Sequence, residues 1–160
     1  MSALLRRPAR SRALIAAALL AVGLLGAVAL RVNADPTIRY VGDGSTPSSI
    51  GDCANPAYST GDYSSPTAAI QAAIADAALS SGDQVIHLCA GLYDLSTSGP
   101  VNVSVAIGFE GDASGDTIVD GGGARQLFSS GSPVSFAHLT LRNGFDSNGG
   151  EAGAVYSDVA

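Results

Sequence analysis

Three aspartates, Asp112, Asp116 and Asp120, recur at every fourth position. Four is an even step, so on one straight strand their carboxylates would share a face. Carboxylates gathered in that way suit Ca²⁺, which takes oxygen ligands. A suitably separated pair also protonates a leaving group and activates water in glycoside hydrolysis. Against this, Gly111 to Gly115 reads as a turn, which would leave the three as solvated turn and strand-end acids. They are the candidate metal ligands; no catalytic residue is assigned, and no cofactor other than that Ca²⁺ reading. His87 reads as an exposed strand residue and His138 as partly buried at a bend. Arg125 and Arg142, the cations of the repeat region, either pair with nearby Asp or bind a carboxylated sugar. Tyr40, Tyr58, Tyr63, Tyr93 and Tyr156 offer stacking faces at no shared spacing. Gly121-Gly122-Gly123 is not a phosphate loop, because no Lys-Ser/Thr and no helix follow it.

The compartment decides how Cys53 and Cys89 read. Met1 to Arg12 is a basic head, Ala13 to Leu30 is an apolar run of 18 residues, and Val32-Asn33-Ala34 ends in a small residue. That order predicts a secretory signal peptide cleaved between Ala34 and Asp35. The competing reading is a retained anchor, for which the Ala-rich run is short. In an oxidising compartment an even number of cysteines suggests a disulfide. Closing the 36-residue separation adds about 4 kcal/mol in the loop-entropy account. Two buried thiols are the alternative. Two Cys with the distant His87 and His138 fall short of a zinc site.

All 14 acids lie from Asp35 onward, against 3 Arg and no Lys, for a net charge of −11 over that body. A nucleic-acid binder needs cations to neutralise phosphate, and an anionic membrane surface makes the same demand, so both are excluded as partners.

The elements that must position these residues follow from pattern. Residues 35–64 form a loop-rich segment dense in Gly, Ser, Pro and Asp, opening with the short apolar stretch 37–41. Residues 65–82 hold a helix, with Ser65 as cap and Pro66 at its first position. Ala69, Ile70, Ala73, Ile74, Ala77 and Ala78 share its apolar face. From residue 83 to 160 short apolar stretches alternate with Gly or Asn turns, at 85–89, 101–107, 116–120, 126–129, 134–141 and 152–157. In 101–107 Val101, Val103, Val105 and Ile107 alternate strictly, predicting one strand with a buried face. In 134–141 the apolar parity switches between Phe136 and Leu139, which requires a bend or bulge at Ala137-His138. No helical pattern appears after Gly82, which argues against a doubly wound fold; hairpin sheets stay open, although the Asn-Gly pair Asn143-Gly144 does not sit between two well-matched strands. Strands at 9- to 16-residue intervals suggest stacked coils. An open stack exposes strand edges, and the small-faced helix sits where a cap is needed.

Residues 65–95 resemble the opening of right-handed parallel β-helix proteins of the pectin-lyase-like superfamily. The residues that carry the likeness are Ile70-Gln71-Ala72-Ala73-Ile74, Gly82-Asp83-Gln84-Val85-Ile86 and Gly91-Leu92-Tyr93. Residues 116–128 and 134–144, with Gly149-Gly150 and Gly153 to Tyr156, resemble the repeats of polymorphic outer-membrane-protein-like proteins. The resemblance implies an all-β fold: a right-handed parallel β-helix with an N-terminal capping helix, preceded by the signal peptide. It places Ile86 and Leu88 inward, His87 and Cys89 outward with Cys89 able to reach Cys53, and Asn143 at a turn. Two to three coils fit between Val85 and Ala160, and no closing cap is apparent, so the chain reads as the N-terminal part of a longer β-helix.

The function implied is an exported, non-catalytic scaffold or adhesin-like protein, secreted or at the cell surface, whose partners are carbohydrate or other surface components. The enzyme alternative is a polysaccharide lyase or glycoside hydrolase with its active site in further coils. The chain shows no Asp-Asp, His-Gly or Arg-x-Lys, so the hydrolase pattern of this family is not met.

Overall fold

The computed structural model describes residues 37–45, 52–145 and 153–158. All belong to the second of two units, residues 1–33 and 34–160. The expected signal peptide and its Ala34/Asp35 cleavage point lie outside the described residues. No helix among the described residues is long and apolar enough to cross a membrane.

The fold is mostly β. Its elements are β1 Thr37–Gly42, β2 Tyr58–Ser59, a 3₁₀ turn at Thr60–Asp62, α1 Pro66–Ala77, β3 Gln84–Leu88, β4 Gly91–Asp94 and β5 Val101–Val103. Then come β6 Ile107–Gly111, β7 Thr117–Arg125, β8 Phe128–Ser130, β9 Val134–Ala137, β10 Thr140–Gly144 and β11 Val155–Ser157. They form three sheets: sheet 1 in the order β2-β1-β3-β6-β9, sheet 2 as β10-β7-β4 and sheet 3 as β11-β8-β5. Every pairing between these strands is parallel. Hairpins, which pair antiparallel, therefore do not build these sheets. From β3 onward the chain visits sheets 1, 2 and 3 in that order three times, giving the triplets β3-β4-β5, β6-β7-β8 and β9-β10-β11.

Register aligns the apolar residues of successive triplets. Ile86 pairs with Phe109 and Phe109 with Phe136 in sheet 1. Tyr93, Val119 and Leu141 align in sheet 2, and Val101, Phe128 and Val155 in sheet 3. All of these belong to or pack on one core. Phe109, Phe128 and Phe136 meet inside it, with ring centroids 4.9 to 5.5 Å apart. That range is favourable for aromatic pairs.

α1 forms where the sequence places it. The Ser65 hydroxyl accepts from the Ala68 N–H at 3.1 Å, Pro66 opens the helix, and Ala69, Ile70, Ala73, Ile74 and Ala77 are buried. Ala78, expected on that face, caps the C-terminus and is exposed. Residues 37–41 were expected only as an apolar stretch in a loop-rich segment. They form β1, which pairs with β3 along its length.

Two other expectations change. Residues 101–107 are not one strand: β5 ends at Val103, and Ile107 begins β6 in another sheet. The alternation survives, with Val101, Val103 and Ile107 buried, because the apolar side chains stay inside while the chain turns a corner. Residues 134–141 do break as expected, between β9 and β10, with His138 at φ 54°. His138 is exposed, not partly buried, because this turn points its side chain outward. Gly111 permits the corner, since a Cβ there would collide with the His138 carbonyl oxygen. The Gly121–Gly123 run does not end β7. It bulges between Asp120, which pairs with Arg142, and Arg125, which pairs with Gly144. Asn143, at φ 52° within this irregularity, takes the left-handed backbone expected of it.

Candidate functional site

The start of the fold is tied by three devices. Cys53 and Cys89 form a disulfide with Cα atoms 5.4 Å apart, holding the 52–57 loop to the end of β3. The buried Tyr93 hydroxyl shares its proton between the carbonyls of Val41 at 2.6 Å and Cys89 at 3.0 Å. Burial and the Asp43 charge push that phenol well above its ordinary pKa. The third device is Arg39, buried although charged. Its guanidinium donates to Asp76 Oδ2 at 2.8 Å, Gln84 Oε1 at 2.7 Å, Ser80 Oγ at 2.7 Å and the Asp76 carbonyl at 3.1 Å. One side chain thus joins β1, the C-terminal end of α1 and the start of β3. The guanidinium also favours the partial negative charge of a helix C-terminus. Arg39 and Tyr58 both bond Asp76 and hold its carboxyl below the usual range. Tyr58 is pushed up to about 12 by burial and by Asp76.

The outer faces carry the remaining candidate residues. On sheet 2, Asp94, Asp120 and Arg142 stand in one ladder row. Asp120 accepts from the Gly122 N–H at 2.8 Å, from Asn143 Nδ2 at 3.0 Å and from Arg142 Nε at 2.7 Å. These bonds, the Gly122 amide foremost, hold its carboxyl below the usual range. Asp94 is lowered by the hydroxyl and backbone N–H of Ser96. Leu92, half-exposed, borders the open cleft of about 390 Å³ between these groups.

Asp112 and Asp116 are elsewhere, at the two ends of the turn between β6 and β7. Asp112 accepts from the Ser114 N–H at 2.9 Å, which with the Ser114 hydroxyl and then the field of His87 lowers its pKa. The carbonyl of Asp116 accepts from the Gly91 N–H. The even spacing does not gather the three aspartates, because a turn separates the first two from the strand that carries the third. Among the described residues, no three His, Cys, Asp or Glu side chains are placed to hold a metal ion.

On the outer face of sheet 1, Tyr40, His87 and Glu110 form one ladder row. The rings of Tyr40 and His87 pack with centroids 5.1 Å apart. His138, one residue after the partner of Glu110, places Nδ1 3.5 Å from Glu110 Oε1. Sequence reasoning gave no role to Glu110, Arg39 or Asp94. Only the folded arrangement reveals their partners: His87 beside Glu110, Asp120 beside Asp94, and Asp76, Ser80 and Gln84 around Arg39, 23 to 45 positions away.

No protein-family model matches the chain, and neither does any curated protein or solved structure.

Proposed function

We propose that the three triplets are successive turns of a right-handed parallel β-helix, started by α1 as a cap, in an exported, non-catalytic scaffold of adhesin-like character. The observation that carries this reading is the repeated order of visits to sheets 1, 2 and 3 with parallel register throughout. A ribbon wound continuously in one sense returns to each sheet in that way. The likeness of residues 65–95, 116–128 and 134–144 to pectin-lyase-like and polymorphic outer-membrane-protein-like sequences agrees with it. The disulfide suggests a non-cytoplasmic environment and so favours export. The scaffold role is favoured by how the outer carboxylates are used. Asp94, Asp112 and Asp120 each accept hydrogen bonds from their own turns. Such acids order corners of the chain. The partners of the scaffold are carbohydrate or other cell-surface components, met on the outer faces of the sheets.

Two measurements on the expressed full chain test this. Mass spectrometry of the exported material should find a mature N-terminus at Asp35 and an alkylation-resistant Cys53–Cys89 pair. Incubation with polygalacturonate, followed by ultraviolet absorbance of unsaturated product, should give no turnover. Retention inside the cell would overturn the export reading, and turnover would overturn the non-catalytic one.

A further inference from the structure

The outer face of sheet 2 is concave where the corner after β4 meets the bulge of β7. Gly122, at φ 61°, allows that approach, because a Cβ there would stand 2.6 Å from the Ser96 Cβ. The resulting cleft of about 390 Å³ has the size of a small-molecule site, about 300–1,000 Å³. One wall is apolar, since Leu92 lines it and is 49% exposed. Asp94, Ser96, Asp120 and Asn143 supply polar walls. The carboxylates are held before anything binds: the Ser96 N–H donates to Asp94, and the Gly122 N–H and Asn143 Nδ2 donate to Asp120. Little side-chain freedom is then lost on binding. Arg142 neutralises Asp120 through its Nε at 2.7 Å, so Asp94 sets the net charge of the cleft. That contact makes Arg142 the partner of an Asp and not of a carboxylated sugar. No cation is among the described residues that line the cleft.

We propose that this cleft binds a neutral hexose ring of a surface glycan. The site rests on the carbohydrate partner of the proposed function and gives that partner a place and a charge. A hexose carries on one ring what the walls call for: hydroxyls that both donate and accept, and an apolar C–H face. Asp94 accepts from a hydroxyl. The Ser96 hydroxyl both donates and accepts, as does the Asn143 carboxamide, which keeps a second N–H and its Oδ1 after bonding Asp120. Leu92 takes the C–H face and removes it from water. A uronate would bring its carboxylate against Asp94 with no lining cation to offset the repulsion. A simple cation would use Asp94 and leave the amide, hydroxyl and apolar walls without a role. Asp94, Asp120 and Asn143 belong to β4, β7 and β10, so one ring touches all three triplets.

The test is an NMR titration of the isotope-labelled, disulfide-intact full chain with glucose, mannose and galactose, and with the uronate of each. At least one neutral sugar should shift the Gly122 and Gly123 amides and the Asn143 side-chain amide together. Its uronate should bind at least about tenfold more weakly. Asp94→Asn keeps the side-chain shape and should weaken the neutral sugar by about tenfold, the worth of one hydrogen bond to a charged group. It should also narrow the gap between sugar and uronate, which a merely structural role for Asp94 would not do. No shift at these amides with any neutral sugar overturns the cleft, as does equal binding of the uronate or undiminished binding in Asp94→Asn. Shifts confined to another outer face overturn the cleft but leave the carbohydrate partner standing, whereas retention in the cell or turnover counts against the scaffold reading alone.

Discussion

Ile86 and Phe136 are register partners of Phe109 from its two sides, yet Ile86 is fully buried and Phe136 only partly. The same contrast holds between the start of the fold and its third triplet. At the start, β1 and α1 pair with or pack on the first triplet, β2 pairs with β1, and a disulfide, Tyr93 and Arg39 join them. In the third triplet Leu139, Leu141 and Val155 are only partly buried, and Phe145 is half-exposed. The difference teaches where stability is held. A parallel ladder alone orders the strands, whereas burial and satisfied polar groups make one region firm. Two ion pairs of nearly equal length make the point. Arg39–Asp76 at 2.8 Å has a guanidinium side chain 7% exposed, and Arg142–Asp120 at 2.7 Å has one 46% exposed.

The largest effect that would break or sharpen this comparison comes from the aromatic column. Phe109→Ala should destabilise by about 4 kcal/mol, by loss of transfer energy and creation of a cavity. Phe136→Ala, at the equivalent station of the third triplet, should cost about 2 kcal/mol. Urea unfolding of both variants checks the ratio; equal costs would mean that the two regions are equally packed. Next, Arg39→Ala should cost about 3 kcal/mol, because it strips a buried hydrogen-bond network and leaves the Gln84 Oε1 acceptor without its guanidinium donor. Hydrogen exchange should then rise first in β1 and around α1, ahead of sheet 3.

A smaller effect follows pH. Tyr58 and Tyr93 have raised values, so their contribution is complete below the unfolded phenol value of about 10 and is lost as pH climbs above it. Asp76, Asp94, Asp112 and Asp120 have lowered values. Their contribution is complete above the unfolded carboxyl value of about 3.9 and is lost as pH falls below it. Melting temperature should therefore plateau between these limits and fall at both ends, with the alkaline fall suppressed in Tyr93→Phe. The smallest effect is expected for Arg142→Ala, a melting shift of no more than about 1–2 °C, since exposed pairs contribute little.

Much of the fold was legible because its signals are local. The Ser65-Pro66 start and the Ala/Ile face of α1 require only propensity and period. The parity switch in residues 134–141 announced the break at His138, and the Gly and Asn positions marked corners. Corners without a parity switch were not legible, because Val103 and Ile107 stay in phase across theirs. β1 was hidden because a six-residue strand with a buried Arg reads like loop sequence. The outer faces were the least legible. The even spacing offered a row from Asp112, Asp116 and Asp120, against which Gly111 to Gly115 already read as a turn; rows across the three triplets join residues 19 to 27 positions apart. Asp120 thus aligns with Asp94 and Arg142, and Glu110 lies between the two histidines.

Parallel stacking of the triplets holds the three sheets together, and NMR of the isotope-labelled full chain tests it most directly. Backbone amide-to-α-proton contacts should link the Ile86 and Phe109 strands, the Phe109 and Phe136 strands, and the Val101 and Phe128 strands. Contacts joining β5 to β6, or β9 to β10, as antiparallel neighbours would contradict it.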